Sequence, residues 1–120
     1  MAAKIVRGSV VLVRYLFTDL SGSKLRPAII VTPDDLLAIL DDVLCAFVTT
    51  IIPDKILPTD LILRNNDPDF AVMGLQQTSM IRTYKLTLLH RSLVQRHLGR
   101  MSNVLLEQLD HCLKKAVGVS

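Results

Sequence analysis

The sequence is most decisive for the fold at residues 43–52, which read VLCAFVTTII. Six of these ten residues are β-branched and none is charged. Branched side chains are stiff and pack well on a pleated surface, so such a run favours an extended strand. We therefore predict a strand at 43–52, with partner strands on both sides of it in the chain.

Shorter strands are predicted in both directions from this run. Residues 9–17 (SVVLVRYLF) are β-branched and apolar, and residues 27–31 (PAIIV) begin with a proline, which strands tolerate at their start. A loop of turn-forming residues at 18–25 separates the two. Further strands are predicted at residues 60–63, 71–75, 79–84 and near 93–98.

Two connecting segments stand out. Residues 34–42 (DDLLAILDD) fit either one helical turn or an apolar excursion between strands. Residues 65–69 (NNDPD) predict a tight turn, because Asn and Asp tolerate unusual backbone angles and Pro fixes one.

The chain ends in a helical pattern. Ser102 stands where an N-cap hydroxyl accepts an amide hydrogen bond from the first turn. Apolar side chains then recur on one helical face at Leu105, Leu109, Cys112, Leu113 and Ala116. Lys114 and Lys115 suit the negative end of the helix dipole, and Gly118 suits the C-terminal cap.

Together these elements predict an α+β protein that is mainly β. Short antiparallel strands in a small domain tend to curl into a barrel, which protects their edges. The 120 residues are close to the commonest size of one domain, and no repeat or linker divides them. We predict a single domain over residues 1–120, a small β-barrel with a C-terminal helix.

Composition excludes some classes of protein. The apolar runs are far shorter than the roughly 20 residues that span a bilayer, and no signal-peptide pattern opens the chain, so we expect no membrane association and a cytoplasmic location. Cys45 and Cys112 lie far apart in apolar surroundings, which favours two buried thiols over a disulfide or a ligand pair.

Charge is unevenly distributed along the chain. Nine of the eleven acidic residues lie between Asp19 and Asp69, whereas Glu107 is the only acid between residues 70 and 108. That second stretch carries the cations Arg82, Lys85, Arg91, Arg96 and Arg100. Such polarity suits an anionic partner such as nucleic acid, and it equally suits a solvated basic edge.

Familiar catalytic motifs are absent. The chain has no phosphate-binding glycine loop and no HExxH motif, and its three histidines form no convincing metal site. Residue patterns alone therefore do not indicate a catalytic activity.

A resemblance supplies more. Residues 7–30 read RGSVVLVRYLFTDLSGSKLRPAII, with the order Gly-Ser-Val, Thr-Asp, Gly, then K-L-R-P-A. Residues 46–50 (AFVTT), 57–59 (LPT), 74–79 (GLQQTS), 82–83 (RT) and 98–100 (LGR) follow in order. Taken together, this arrangement resembles the PemK/MazF family of toxins from bacterial toxin–antitoxin systems over nearly the whole chain.

That resemblance implies an SH3-like β-barrel with a C-terminal helix, usually as a homodimer. It implies a metal-independent endoribonuclease that needs no cofactor and cuts single-stranded RNA at short sequences. It also implies a cognate antitoxin protein whose flexible segment covers the active-site grooves.

Two catalytic residues follow from the resemblance. Arg26 matches the arginine of the family's R-P motif, and Thr49 matches its catalytic Ser/Thr position. A guanidinium can hold two phosphate oxygens, and a hydroxyl can orient the scissile group. Structural roles remain open: Arg26 can pair with an acid such as Asp19, and Thr49 can simply fill a strand. Thr50 is the fallback, since a shift of one residue reverses the sheet face.

Further residues are candidates for substrate contact. Asp19 and Lys24 precede Arg26 in the same loop, and the remaining candidates are Thr50, Gln76, Gln77 and Ser79. Some family members carry an Arg and an Asp for proton transfer where this chain has Gly74 and Gln76. That pair is therefore not carried over, and the general acid and base stay open.

Two alternatives stand beside the ribonuclease. One is a non-enzymatic toxin of the same barrel type that acts on a protein target such as DNA gyrase. The other is a catalytically weakened relative that binds an antitoxin or nucleic acid, an alternative kept open by Gly74 and Gln76.

Overall fold

The computed structural model describes residues 4–16 and 23–119. Its strands are β1 (Ser9–Leu16), β2 (Ser23–Ile30), β3 (Asp42–Thr49), β4 (Asp60–Leu63), β5 (Ser79–His90) and β6 (Val94–Arg100). Helix α1 (Asp34–Leu37) is one turn long, and α2 (Asn103–Val117) ends the fold. The strands form one antiparallel sheet in the order β4-β5-β3-β2-β1-β6.

The central strands are apolar on both faces because each face covers its own core. One face carries Val10, Ile29 and Val48 against α2. The other carries Val11, Ile30 and further aliphatic residues against Leu37 of α1. Successive side chains of a strand point to opposite faces, so a strand between two cores needs an unbroken apolar run. Residues 43–49 of β3 supply that run, and the strand ends three residues before the predicted end at 52.

The last helix follows the prediction closely. The Ser102 hydroxyl accepts the N–H of Leu105 at 3.2 Å, and Leu105 and Leu109 are buried against the sheet. Gly118 caps the other end with φ of 73°. An N-cap of this kind contributes about 1 kcal/mol.

The prediction of a strand at 71–75 was wrong. Ala71–Met73 form a 3-10 turn that ends at Gly74, with φ of 72°. A Cβ at Gly74 would lie 2.2 Å from the carbonyl oxygen of Leu98, and one at Gly99 would lie 2.2 Å from that of Val72. The two backbones therefore touch without pairing as strands, which only glycine allows at this distance.

This contact explains how the sheet becomes barrel-like. The edge strands β4 and β6 do not pair with each other in the described part of the chain. The 3-10 turn after β4 instead packs on β6, and α2 contacts both β4 and β5. The barrel is thus completed by packing rather than by a closed hydrogen-bond ladder.

Other bounds differ in detail from the predictions. The segment 34–42 contains the single turn of α1 and the first residue of β3, and the Arg91 guanidinium donates to the carbonyls of Leu37, which ends α1, and of Leu40, which follows it. Strand β3 ends at Thr49, β6 runs two residues beyond the predicted end at 98, and β5 extends to His90. The extension follows because the first four residues of β5 pair with β4, whereas residues 80–81 and 86–90 pair with β3.

Strand β5 contains a wide bulge. The register pairs Ala46 with Leu86 and then Val48 with Ile81, so two steps on β3 match five on β5. Ile81 and Leu86 both pack into the core beneath α2 although they are an odd number of residues apart. The bulge therefore inserts three extra residues, an odd number, and so changes which side chains share a face.

Both cysteines are free and buried, as expected from their apolar neighbours. Burial raises the pKa of Cys45 to about 11. Within the described ranges, no helix combines the length and apolar character needed to cross a membrane.

Candidate active site

Arg26 and Thr49 lie on neighbouring strands and on the same face of the sheet. Strands β2 and β3 are antiparallel and pair Ala28 with Phe47. Continuing that register by two residues sets Arg26 across from Thr49, with both side chains on one face. In the described part of the chain, Arg26 forms no ion pair with a carboxylate.

The hydroxyl of Thr49 is oriented by its own loop. Its oxygen accepts the N–H of Ile51 at 3.1 Å. A hydroxyl can accept and donate at the same time, so the Thr49 hydroxyl can also donate its hydrogen to a bound group. Thr50 follows the end of β3 and is exposed.

Two grooves meet at this pair. The first, called here the amide groove, has a volume of about 310 Å³ and takes its polar lining from Arg26, Thr49, Thr50, Gln76, Gln77 and Ser79. The loop after the 3-10 turn places the two glutamines there, because Gly74 lets the backbone turn beside β6. Of the eight predicted catalytic and substrate-contact residues, six therefore line this groove.

The second groove, called here the cationic groove, has a volume of about 330 Å³. It shares Arg26 and Thr49 with the amide groove and adds Arg82, Lys85 and Tyr15. The Tyr15 ring meets the Phe47 ring edge-on, with centroids 5.1 Å apart. No acidic residue is present among the described residues that line either groove.

The remaining candidates lie elsewhere or have other contacts. Lys24 was predicted to lie in the loop before Arg26; it lies instead on β2, which begins at Ser23, where it is exposed and on the same face as Arg26. Ser79 is buried and its hydroxyl donates to the carbonyl oxygen of Gln77 at 2.8 Å, which favours a role in shaping the loop. The prediction for Asp19 falls outside the described residues.

Sequence reasoning missed Arg82 and Lys85. Both were counted among the cations of residues 70–108, but neither was assigned to the site. Residues 82 and 85 are an odd number apart, so a regular strand would send them to opposite faces. The bulge in β5 is what brings both to one groove.

A larger cavity of about 920 Å³ lies apart from this pair. It is bordered by the N-terminal segment, α1 and β6, and its polar lining includes Asp34, Asp41, Arg91 and His97. It contains none of the predicted catalytic or substrate-contact residues. Across residues 4–16 and 23–119, no three His, Cys, Asp or Glu side chains cluster as a metal site.

Comparison with known proteins agrees with this architecture. Residues 6–117 match the family of the PemK-like, MazF-like toxin of type II toxin-antitoxin system. The chain therefore belongs to this toxin family. No curated protein matches it significantly in sequence.

Solved structures share the fold. A mycobacterial endoribonuclease in complex with its cognate antitoxin superposes with a TM-score of 0.74 at 19% identity, covering 98% of each chain. The MazE-MazF structure (Form-II) from Deinococcus radiodurans gives 0.76 at 16% identity, covering 97% of each chain. The Mycobacterium tuberculosis toxin MazF-mt6 gives 0.71 at 21% identity, covering 92% of this chain and 98% of that one.

Proposed function

We propose that this toxin is a metal-independent endoribonuclease that cuts single-stranded RNA at short sequences. The ribose 2′-oxygen attacks the adjacent phosphorus, the bond from phosphorus to the 5′-oxygen breaks, and the products carry a 2′,3′-cyclic phosphate and a 5′-hydroxyl. The observation that carries the proposal is the meeting of Arg26 and Thr49 in grooves whose described lining residues include no acid.

Arg26 stabilises the charge that develops on the phosphoryl oxygens. Its guanidinium stays protonated at working pH and presents a planar fork that matches two phosphate oxygens. Half-burial strengthens this interaction, because the side chain is partly removed from water. A fixed positive charge beside the phosphate lowers the barrier more than it strengthens ground-state binding, since negative charge builds up during the reaction.

Thr49 orients the scissile phosphate. While its oxygen accepts from the Ile51 amide, the hydroxyl can donate its hydrogen to a non-bridging oxygen. Lys24, Thr50, Gln76 and Gln77 are assigned substrate contacts. The two amides suit base edges because each offers both a donor and an acceptor.

Proton transfer is assigned to neither residue. The 2′-hydroxyl must lose a proton and the leaving 5′-oxygen must gain one. Gln76 stands where some family members have an acid, and an amide cannot carry out this step. This substitution supports a second candidate, a weakened relative that binds RNA or antitoxin and cleaves slowly.

The partners follow from the family and its relatives. We propose that a cognate antitoxin protein neutralises the toxin by covering the grooves; a mycobacterial endoribonuclease of the same fold forms a complex with its cognate antitoxin. We also propose a homodimer, one toxin domain over residues 1–120 and a cytoplasmic location.

The dimer contact is assigned to the apolar surface around α1, where Ile39 is 74% exposed. Light scattering tests the dimer: a monomer at micromolar concentration contradicts it.

Product analysis tests the reaction. A long single-stranded RNA is incubated with the protein in EDTA, and the ends of the fragments are determined. The proposal predicts 5′-hydroxyl and cyclic-phosphate ends, and no cleavage of an oligonucleotide with a 2′-deoxyribose at the cut site. Intact RNA bound by the protein points to the weakened relative. Intact, unbound RNA together with inhibition of gyrase supercoiling points to the protein-directed toxin.

A further inference from the structure

The bulge of β5 places two cations, Arg82 and Lys85, beside Phe47. Extending the register from Ala46 and Leu86 sets Lys85 opposite Phe47, and extending it from Val48 and Ile81 sets Arg82 opposite the same residue. Arg82 and Lys85 therefore share the face that also carries Arg26 and Thr49, and all four line the cationic groove. A regular strand of the same sequence would turn one cation away.

The side chain of Tyr84 lies close to both cations. The Arg82 guanidinium is 5.3 Å from the centre of the Tyr84 ring, and the Lys85 ammonium is 5.9 Å from it. Both distances are within the range of cation–π attraction. The ring thus restrains the two side chains, which limits the entropy lost when they bind an anion.

The two cations are not equivalent. The Arg82 Nε lies 3.8 Å from Oδ1 of Asp60, and neither atom has a hydrogen-bond partner among the described residues. The Asp60 side chain is fully buried, so its charge offsets that of Arg82. Lys85 is exposed and makes no ion pair with a carboxylate in the described ranges. Lys85 therefore supplies the charge that remains available to a ligand.

We infer that Arg82 and Lys85 form a second phosphate subsite, which holds a backbone phosphate next to the scissile one. The inference rests on the proposed function and adds the path that the RNA strand takes across the site. RNA would run from the amide groove, where bases meet Gln76 and Gln77, past Arg26 and Thr49, to the cationic groove, where the backbone is held by charge. The amide groove offers hydrogen bonds that distinguish one base from another. The cationic groove offers positive charge, which binds the backbone of any sequence.

Salt dependence of binding tests this subsite. The probe is a single-stranded RNA of mixed sequence with 2′-O-methyl riboses, which lacks the attacking hydroxyl and stays intact. Each phosphate neutralised on a single strand contributes roughly 0.7 to the slope of log affinity against log salt. Lys85→Gln is expected to reduce the slope by about that amount, and Lys85→Arg to restore it.

The matched control is Lys114→Gln. Lys114 is exposed in the last turn of α2, away from both grooves, and its loss removes the same charge. The inference predicts the parent slope for this variant. An unchanged slope in Lys85→Gln, or an equal reduction in both variants, overturns the subsite while cleavage of ordinary RNA by the parent keeps the proposed function. Failure of the parent to bind or cleave RNA overturns both.

Discussion

Arg26 of β2 lies opposite Thr49 of the adjacent strand β3. The two residues lie two positions beyond the pair Ala28 and Phe47, which is the last pair that joins these strands. Both side chains leave the paired part of the sheet on the same face, and both line the amide and cationic grooves. The ladder therefore sets their relative position, and both grooves lie where the pairing of β2 with β3 ends. Rigid strands position catalytic groups more precisely than loops do.

The first prediction separates the hydroxyl of Thr49 from its shape. Thr49→Val keeps the branched side chain but removes the donor, and Thr49→Ser keeps the donor. We expect Thr49→Val to lower the single-turnover cleavage rate by roughly 100-fold, and Thr49→Ser to retain most of it. Equal rates for Thr49→Val and the parent would remove Thr49 from the chemistry.

The second prediction concerns closure of the barrel at Gly74. Gly74 and Gly118 have nearly the same backbone angle, with φ of 72° and 73°. A Cβ at Gly118 meets nothing within 4 Å, whereas one at Gly74 runs into the Leu98 carbonyl. We expect Gly118→Ala to lower the free energy of unfolding by about 1 kcal/mol, and Gly74→Ala by about 2–4 kcal/mol.

Urea denaturation of both variants measures the difference. Since the two sites share the strain of a positive φ, the excess at Gly74 reports the backbone contact with β6 alone. If Gly74→Ala lowers the free energy of unfolding no more than Gly118→Ala does, the backbone contact with β6 does not contribute to the stability as expected.

The third prediction is a loss of stability at high pH caused by Cys45. Burial raises the pKa of this thiol from the ordinary 9.0 to about 11 in the folded protein. A group with a raised folded pKa stabilises fully below its unfolded pKa and loses that contribution as the pH passes the folded value. The free energy of unfolding should therefore fall by about 2 kcal/mol between pH 9 and 11 through this thiol.

Cys45→Ala isolates that effect from the titration of lysines and tyrosines over the same range. Its free energy of unfolding should fall less steeply with pH than that of the parent. Burial also raises the pKa of Cys112, so a weaker dependence remains in the variant. Parallel curves for the two proteins would show that Cys45 does not titrate with unfolding.

Sequence patterns were sufficient for the parts of the fold that depend on local periodicity. The α2 helix follows from its apolar spacing and its two caps, and strand β3 from its β-branched run. Residues 71–75 were misassigned because their apolar character satisfies a strand, while Gly74 and Gly99 bring two backbones together over a long sequence distance. No local window contains that contact.

For the candidate site, the sequence named residues that the structure places together, and their roles stay predictions. The resemblance named Arg26 and Thr49, and the structure brings them together with Gln76 and Gln77. Arg82 and Lys85 were not predicted as site residues. Their shared orientation depends on the bulge of β5, and a bulge is a property of the pairing between strands. A bulge has no signature in the residues that form it here.

The measurement that tests the central claim most directly is the single-turnover rate of RNA cleavage in EDTA for the parent, Arg26→Lys and Arg26→Ala. The account predicts discrete fragments with 5′-hydroxyl ends from the parent and a loss of at least about 100-fold in Arg26→Ala. Arg26→Lys should fall between them, because lysine keeps the charge but lacks the bidentate fork. Cleavage by Arg26→Ala at the parent rate and at the same sites would contradict the account.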